Sequence, residues 1–200
     1  PLAASLVTLS QAQKTAGVVL ANIGSETLSL VVFENDIPIS LKIFPTGSSA
    51  ITESIALSFR VPLPEAESLK RGGVTGSDVP ERKMLTIVGM RLKEMYTLIN
   101  SHLRTIGRHR LLPAGIVITG GGSGLASAAE IAREVLRLPS QVAQIGQLPR
   151  SSGIDVTWAV AYGLCRWGYA EDRSGGMHSL GGVFLDAWDS LKQGLRSLLP

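Results

Sequence analysis

Apolar positions recur along this chain with two different periods, and each change of period marks an element. Residues 17–23 (GVVLANI) and 28–34 (LSLVVFE) are nearly continuous apolar runs, and residues 37–44 (IPISLKIF) alternate. Short runs of this kind bounded by turn residues read as strands. Gly24-Ser25-Glu26-Thr27 is a polar turn between the first two runs, and Asn35-Asp36 is a tight turn before the third. Both use residue types that tolerate turn conformations. The result is a three-stranded antiparallel meander, and its continuous apolar runs call for helices on both faces.

Elsewhere the period is helical. Leu2, Leu6 and Leu9 mark a short helix and its connection within residues 1–14. Ile51, Ile55 and Phe59 form a core stripe on a helix over 46–59, which Pro62 and Pro64 interrupt. A short helix follows at 65–71, stopped by Gly72-Gly73, then a polar loop at 74–80. The longest helix runs from 81 to about 107, with Met84, Ile87, Val88, Leu92, Met95, Leu98, Ile99 and Leu103 on its core face. Arg104, Arg108, His109 and Arg110 gather where a helix C-terminus favours cations. Residues 141–145 read as a short strand and 149–153 as a loop. Residues 155–169 read as a helix with Trp158, Tyr162 and Cys165 on one face, and 171–179 (EDRSGGMHS) as a linker.

Residues 180–199 form a last helix. Its apolar residues Leu180, Val183, Phe184, Ala187, Trp188, Leu191, Leu195 and Leu198 fall on one face at about 100° per residue, with Asp186, Asp189, Lys192 and Arg196 opposite. A helix with such internal charges lies in a membrane interface and does not span it. Two acids balance two bases there, so burial of Phe184, Trp188, Leu191, Leu195 and Leu198 has to dominate attachment.

Composition narrows the classes. A net charge of +3 leaves no strong electrostatic footprint for nucleic acid. The single Cys165 cannot form an internal disulfide, which fits a reducing compartment. His102, His109 and His178 lack ligand spacing, so no metal site is expected. The chain begins at Pro1 and reads as a fragment or a processed chain.

The chemistry concentrates in residues 114–125, AGIVITGGGSGL. Ile116, Val117, Ile118 and Thr119 make a short buried strand, and Gly120, Gly121 and Gly122 follow at once. Ser123 and Gly124 then open a helix through 126–137. A strand, a glycine turn and a helix start present bare backbone N–H groups to an anion or nucleotide. A Rossmann turn would need an acidic residue about 20 positions on, where Gln141 and Gln144 stand. A Walker A loop would need Lys after Gly124, where Leu125 stands. A tight turn with no ligand is the bland alternative.

Taken in order, these parts resemble the bacterial FtsA family of cell-division proteins, actin-like ATPases related to actin and the DnaK chaperones. Residues 21–33 resemble the family's second phosphate motif, DIGGGTTDIAVF. Ala66, Glu67 and Lys70 match its AExxK element, residues 116–125 its adenosine motif VLTGGGA, and residues 158–168 its ATAVGLLLYG helix. The resemblance implies an α/β, actin-like (ribonuclease H-like) ATPase fold, C-terminal half only, followed by a C-terminal amphipathic helix. Subdomain 2A would take residues 1–43 and 113–170, and subdomain 2B residues 44–112. A linker at 171–179 and the membrane-targeting helix at 180–200 would follow.

The implied function is a scaffold that anchors the FtsZ ring to the cytoplasmic face of the cell membrane at the division septum. It would be peripheral, self-associating into actin-like filaments, and would bind FtsZ through 2B. The implied cofactor is ATP with Mg2+, held by Gly24, Ser25, Thr27, Glu67, Lys70, Gly120, Gly121, Gly122 and Ser123. Glu67 and Lys70 would face the adenine and ribose; without the resemblance they read as a solvated helix pair of low worth.

This sequence departs from the second phosphate motif. Asn22 and Ser29 replace its two Asp residues, and Ser25 and Glu26 replace two glycines. Glu26 places negative charge beside a triphosphate and costs binding unless a cation lies between. Hydrolysis is therefore weak at most. The alternative is a degenerate interaction module that kept the fold but lost the nucleotide. A sugar kinase or other ATPase on the same fold is a third reading, which the missing Asp residues oppose.

Overall fold

The computed structural model describes residues 1–73, 79–145 and 155–174, the last four as backbone only. Residues Pro1–Gly163 make one compact unit, and Leu164–Pro200 belong to a second, described as far as residue 174. The polar loop expected at 74–80 lies mostly outside the described residues, and the loop at 149–153 and the helix at 180–199 wholly so.

Two short helices open the chain, α1 (Leu2–Thr8) and α2 (Gln11–Ala16). A reciprocal capping box between Ser10 and Gln13 starts the second. The meander follows as β1 (Val18–Ile23), β2 (Leu28–Glu34) and β3 (Ile37–Phe44). Asn35 and Asp36 both take positive φ, at 52° and 66°, the geometry that matches a two-residue hairpin to the twist of its strands.

After α3 (Ser48–Phe59), α4 (Leu63–Lys70) and α5 (Glu81–Thr105), β4 (Ile116–Thr119) pairs parallel to β1. Then come α6 (Ala128–Leu136), β5 (Ser140–Val142) and α7 (Ala159–Ser174). The sheet order is β3-β2-β1-β4-β5, with the meander antiparallel and β1, β4 and β5 parallel.

The nearly continuous apolar strands β1, β2 and β4 divide their side chains by parity. Val19, Ala21, Ile23, Leu28, Leu30, Val32, Ile116 and Ile118 join α3, α5 and α6 in one core. Val18, Leu20, Val31, Phe33 and Val117 join α1 and the start of α7 in a second core on the other face. Strand side chains alternate between faces, so a nearly continuous apolar run needs cover on both. The third strand differs from that expectation. Ile37, Ile39, Leu41 and Ile43 are all exposed, while on its other face the Ser40 hydroxyl lies 2.8 Å from His102 Nε2. Pro38, Lys42 and a register shift at Val32/Phe33 blunt this edge against further pairing.

Helix α5 buries Val88, Leu92, Met95, Tyr96, Ile99 and Leu103, each worth roughly 1.5–3 kcal/mol when fully buried. Leu98, expected on that face, is exposed, and Tyr96 takes the buried place instead. Positions 95, 96 and 99 centre the stripe, which leaves 98 at its margin. Among the described residues the Tyr96 hydroxyl has no hydrogen-bond partner, and burial pushes its ionisation up. Tyr96→Phe removes this orphan and keeps the ring. It is expected to raise stability by about 1 kcal/mol, read as a higher denaturant midpoint at unchanged slope.

Three further expectations are refined. The chain is interrupted between α3 and α4 as expected, but only over residues 60–62: α4 begins at Leu63 rather than 65, with Pro62 at its cap, because proline is tolerated in a first turn. In the 155–169 segment, a 3₁₀ turn (Val156–Trp158) precedes α7, whose buried positions are Ala159 and Gly163. Trp158 and Cys165 are exposed. The linker expected at 171–179 is helical through Ser174.

Candidate functional site

The parallel pairing of β1 and β4 puts Asn22 beside Thr119. The polar turn after β1 and the glycine turn after β4 therefore open at the same, carboxyl, end of the sheet. Ligand sites of open α/β sheets gather there.

Gly120 makes the corner. Its φ is +85°, and a Cβ there would stand 2.6 Å from both Asn22 Oδ1 and the Ile23 carbonyl oxygen. Gly121–Gly124 then form a single 3₁₀ turn, and Ser123 donates to the Gly120 carbonyl from both its N–H (3.0 Å) and its hydroxyl (2.6 Å). The helix expected directly from Ser123 starts later, at Ala128, after Ser127 has reversed the chain at φ 59°. Gly121 is unlike Gly120: its φ is not positive, and a Cβ would meet nothing within 4 Å.

Facing the glycine turn is the end of α4. Arg71 caps the helix, and Gly72 and Gly73 return their N–H groups to Leu69 (3.0 Å) and Ser68 (2.8 Å), a Schellman closure. Lys70 is buried, with its side chain 6% exposed. Its ammonium donates to Glu67 at 2.6 Å, to Thr52 Oγ1 at 2.8 Å and to the Ser48 carbonyl at 3.2 Å. Thr52 donates to the same Glu67 oxygen at 2.6 Å, and Arg71 Nε to the other at 2.8 Å. Burial alone would raise the Glu67 pKa. The bonds from Lys70, Thr52 and Arg71, with the Lys70 charge, overcome it and hold the carboxyl at about 2. The pair is therefore a partly buried network centred on the buried Lys70, not the solvated surface pair read from spacing alone.

Between these two walls lies a cavity of about 570 Å³, within the range of small-molecule sites. It brings together four of the expected residues, Glu67, Lys70, Gly121 and Gly122. Gly24, Ser25, Thr27, Gly120 and Ser123 do not line it. Gly120 and Ser123 shape the turn behind it; Gly24 donates to the Thr27 carbonyl at 2.9 Å in the neighbouring turn. Sequence reading missed Ser48, Arg71, Glu81, Leu85, Gly124, Leu125, Ala126 and Thr157, which also line the cavity, as does Met84, expected only in the core. Adjacent apolar Met84 and Leu85 carried a signal, since together they widen the stripe of α5 beyond its core face.

Apolar side chains and glycine backbone beside a few polar groups fit a small ligand with an apolar face and polar edges. The phosphate side fits less well. The β1–β2 turn stays outside the cavity, and among the described residues no group of three or more His, Cys, Asp or Glu could hold a metal. The candidate membrane residues Phe184, Trp188, Leu191, Leu195 and Leu198 lie outside the described residues. No described helix is long and apolar enough to cross a membrane.

Comparison with known proteins agrees with this geometry. Among solved structures, MreB5 of Spiroplasma citri bound to AMPPNP superposes at a TM-score of 0.69 with 13% identity, covering 86% of this chain and 58% of that one. The archaeal actin homologue Ta0583 superposes at 0.63 with 22% identity, covering 87% and 54%. The fold is thus actin-like. Cell division protein FtsA of Pseudomonas aeruginosa is 30% identical over 159 residues, which is 69% of this chain but 38% of that protein. The chain therefore spans about two fifths of this relative's length. The family model for cell division protein FtsA matches residues 19–163, and with the actin-like sheet and its glycine-turn cavity this places the chain in the FtsA family.

Proposed function

We propose that this chain is the C-terminal half of an actin-like scaffold that binds an adenine nucleotide and anchors the FtsZ ring to the cytoplasmic face of the membrane at the septum. The observation that carries the nucleotide part of this reading is the cavity joining Glu67 and Lys70 to Gly121 and Gly122; the scaffold and membrane parts rest on the family match. Residues 1–43 and 113–170 would be subdomain 2A, and residues 44–112 subdomain 2B, the FtsZ-binding part. Self-association into filaments would multiply weak membrane contacts. Mg2+ would accompany ATP, and hydrolysis would be weak at most.

Titration of adenosine, ADP and ATP into the isotope-labelled chain tests the nucleotide part. At least one should shift the amide signals of Gly121 and Gly122, with affinity on the order of millimolar from this half of the cleft alone. A specific observation favours the second reading, an interaction module without nucleotide: the turn at Gly24, Ser25 and Thr27 stands outside the cavity. Silence toward all three compounds would decide for it.

The membrane part is tested by vesicle co-sedimentation of the chain, of a form lacking residues 180–200, and of Trp188→Glu. Both altered forms should lose binding, with only modest salt sensitivity because the charges there balance. Equal binding by all three forms would end that part of the proposal.

A further inference from the structure

The α4 wall of the cavity carries two cations, Lys70 and Arg71, and their hydrogen bonds give them different roles. An ammonium has three protons to donate. Those of Lys70 go to Glu67 Oε2 at 2.6 Å, Thr52 Oγ1 at 2.8 Å and the Ser48 carbonyl at 3.2 Å. Thr52 directs its own proton to the same Glu67 oxygen at 2.6 Å, so its oxygen is open to accept from Lys70. With all three protons engaged and the side chain 6% exposed, Lys70 has no donor left for a ligand.

Arg71 is the opposite case. Its side chain is 76% exposed, and among the described residues its guanidinium is held only through Nε, by Glu67 Oε1 at 2.8 Å. A guanidinium pinned at Nε keeps its planar face and its outer edge open. Being positioned in advance, it loses less freedom when a ligand arrives. The residue caps α4 and shares the cavity lining with apolar Met84, Leu85 and Leu125. The charges thus form a chain of support from the interior outwards: Lys70 fixes Glu67, and Glu67 fixes Arg71.

We infer that Arg71, and not Lys70, is the cation that faces the ligand, with its guanidinium plane stacked on the planar base. Lys70 is a positioning residue that acts through Glu67. The inference rests on the adenine-nucleotide reading above and goes beyond it by moving to Arg71 the contact that the resemblance gives to Lys70. A guanidinium over an aromatic face is attracted by the ring's negative face.

The test titrates adenosine into the full chain and follows the Gly121 and Gly122 amides. Adenosine is neutral, so stacking is read apart from attraction for phosphate. Wild type is compared with Arg71→Ala, Arg71→Lys and Lys70→Met, each with a thermal melt. Both Arg71 variants should bind adenosine roughly fivefold more weakly. A lysine there has neither the plane nor the Nε that Glu67 holds. Their melting temperatures should stay close to wild type, because an exposed i, i+4 pair contributes little to stability. Lys70→Met should lower the melting temperature and weaken binding less than Arg71→Ala does. Arg71 variants that bind like wild type, or a larger loss of affinity in Lys70→Met, would overturn the assignment and leave the adenine site standing. Full affinity in Arg71→Lys alone would make the contact one of charge and overturn the stacking. A wild type that answers ADP or ATP but not adenosine would overturn this inference alone. Silence toward all three compounds would remove the adenine site and the inference with it.

Discussion

Gly120→Val is expected to destabilise the chain by roughly 4 kcal/mol, while Gly121→Val, one residue away, leaves the fold intact and narrows the cavity. Gly120 combines a φ of +85° with backbone standing 2.6 Å from where a Cβ would go. A β-branched residue meets both obstacles: a left-handed backbone costs about 1–3 kcal/mol, and overpacking against the fixed Ile23 carbonyl costs about 1–3 more. A total of roughly 4 kcal/mol is a large part of the 5–15 kcal/mol typical of a domain. Gly121 meets neither obstacle, since nothing lies within 4 Å of its Cβ position. Its valine would project into space that lines the cavity, with stability within about 0.5 kcal/mol of wild type. Denaturant unfolding separates the two variants, and adenosine titration then shows whether Gly121→Val has lost the ligand. A Gly121→Val protein that unfolds like Gly120→Val would mean the turn is packed on both residues, and the contrast would fail.

Glu67→Ala is expected to destabilise the chain by about 2–3 kcal/mol. Removing one partner of a buried ion pair leaves the other charge uncompensated, and Lys70 is 6% exposed. Glu67 is itself 34% exposed, so solvent screening trims the effect toward the lower end. Lys70→Met should cost less, about 1 kcal/mol. It buries an apolar chain of similar length and leaves Glu67 its bonds to Arg71 and Thr52. The asymmetry is the test: equal losses would mean that Lys70 finds water once Glu67 is gone.

Acid gives an independent reading of the same network. The folded Glu67 carboxyl ionises at about 2, below its ordinary 4.5. Its contribution to stability is fully present above about pH 4.5 and fades as pH falls toward 2. Glu67→Gln should flatten the pH dependence of stability in that window and nowhere else.

Much of the fold was legible because it is written locally. Strands 28–34 and 37–44 were read to the residue, since a run or alternation bounded by Asn-Asp and Gly-Ser turns needs no distant partner to interpret. Val88, Leu92 and Met95 were readable as core for the same reason: a helical stripe repeats within its own turn. The order of meander, AExxK helix and glycine turn was enough to point to an actin-like member of the FtsA family.

What the chain could not disclose is which surfaces meet. The pairing of β1 with β4 joins residues almost a hundred positions apart, and only that pairing brings two turns to one end of the sheet. Lys70 looked like a solvated partner of Glu67, because spacing records the pair but not Thr52 and the Ser48 carbonyl, which arrive from another helix to take its remaining protons. The alternating third strand has its apolar stripe exposed, since periodicity sorts side chains by face and cannot say whether anything covers that face. Gly120 and Gly121 are the same letter; one bears a positive φ against the Ile23 carbonyl and the other opens on the cavity. Local sequence determined the elements and their turns, through forces acting over a few residues. Tertiary packing decided burial, charge pairing and the site, because those depend on groups that the chain brings together only when folded.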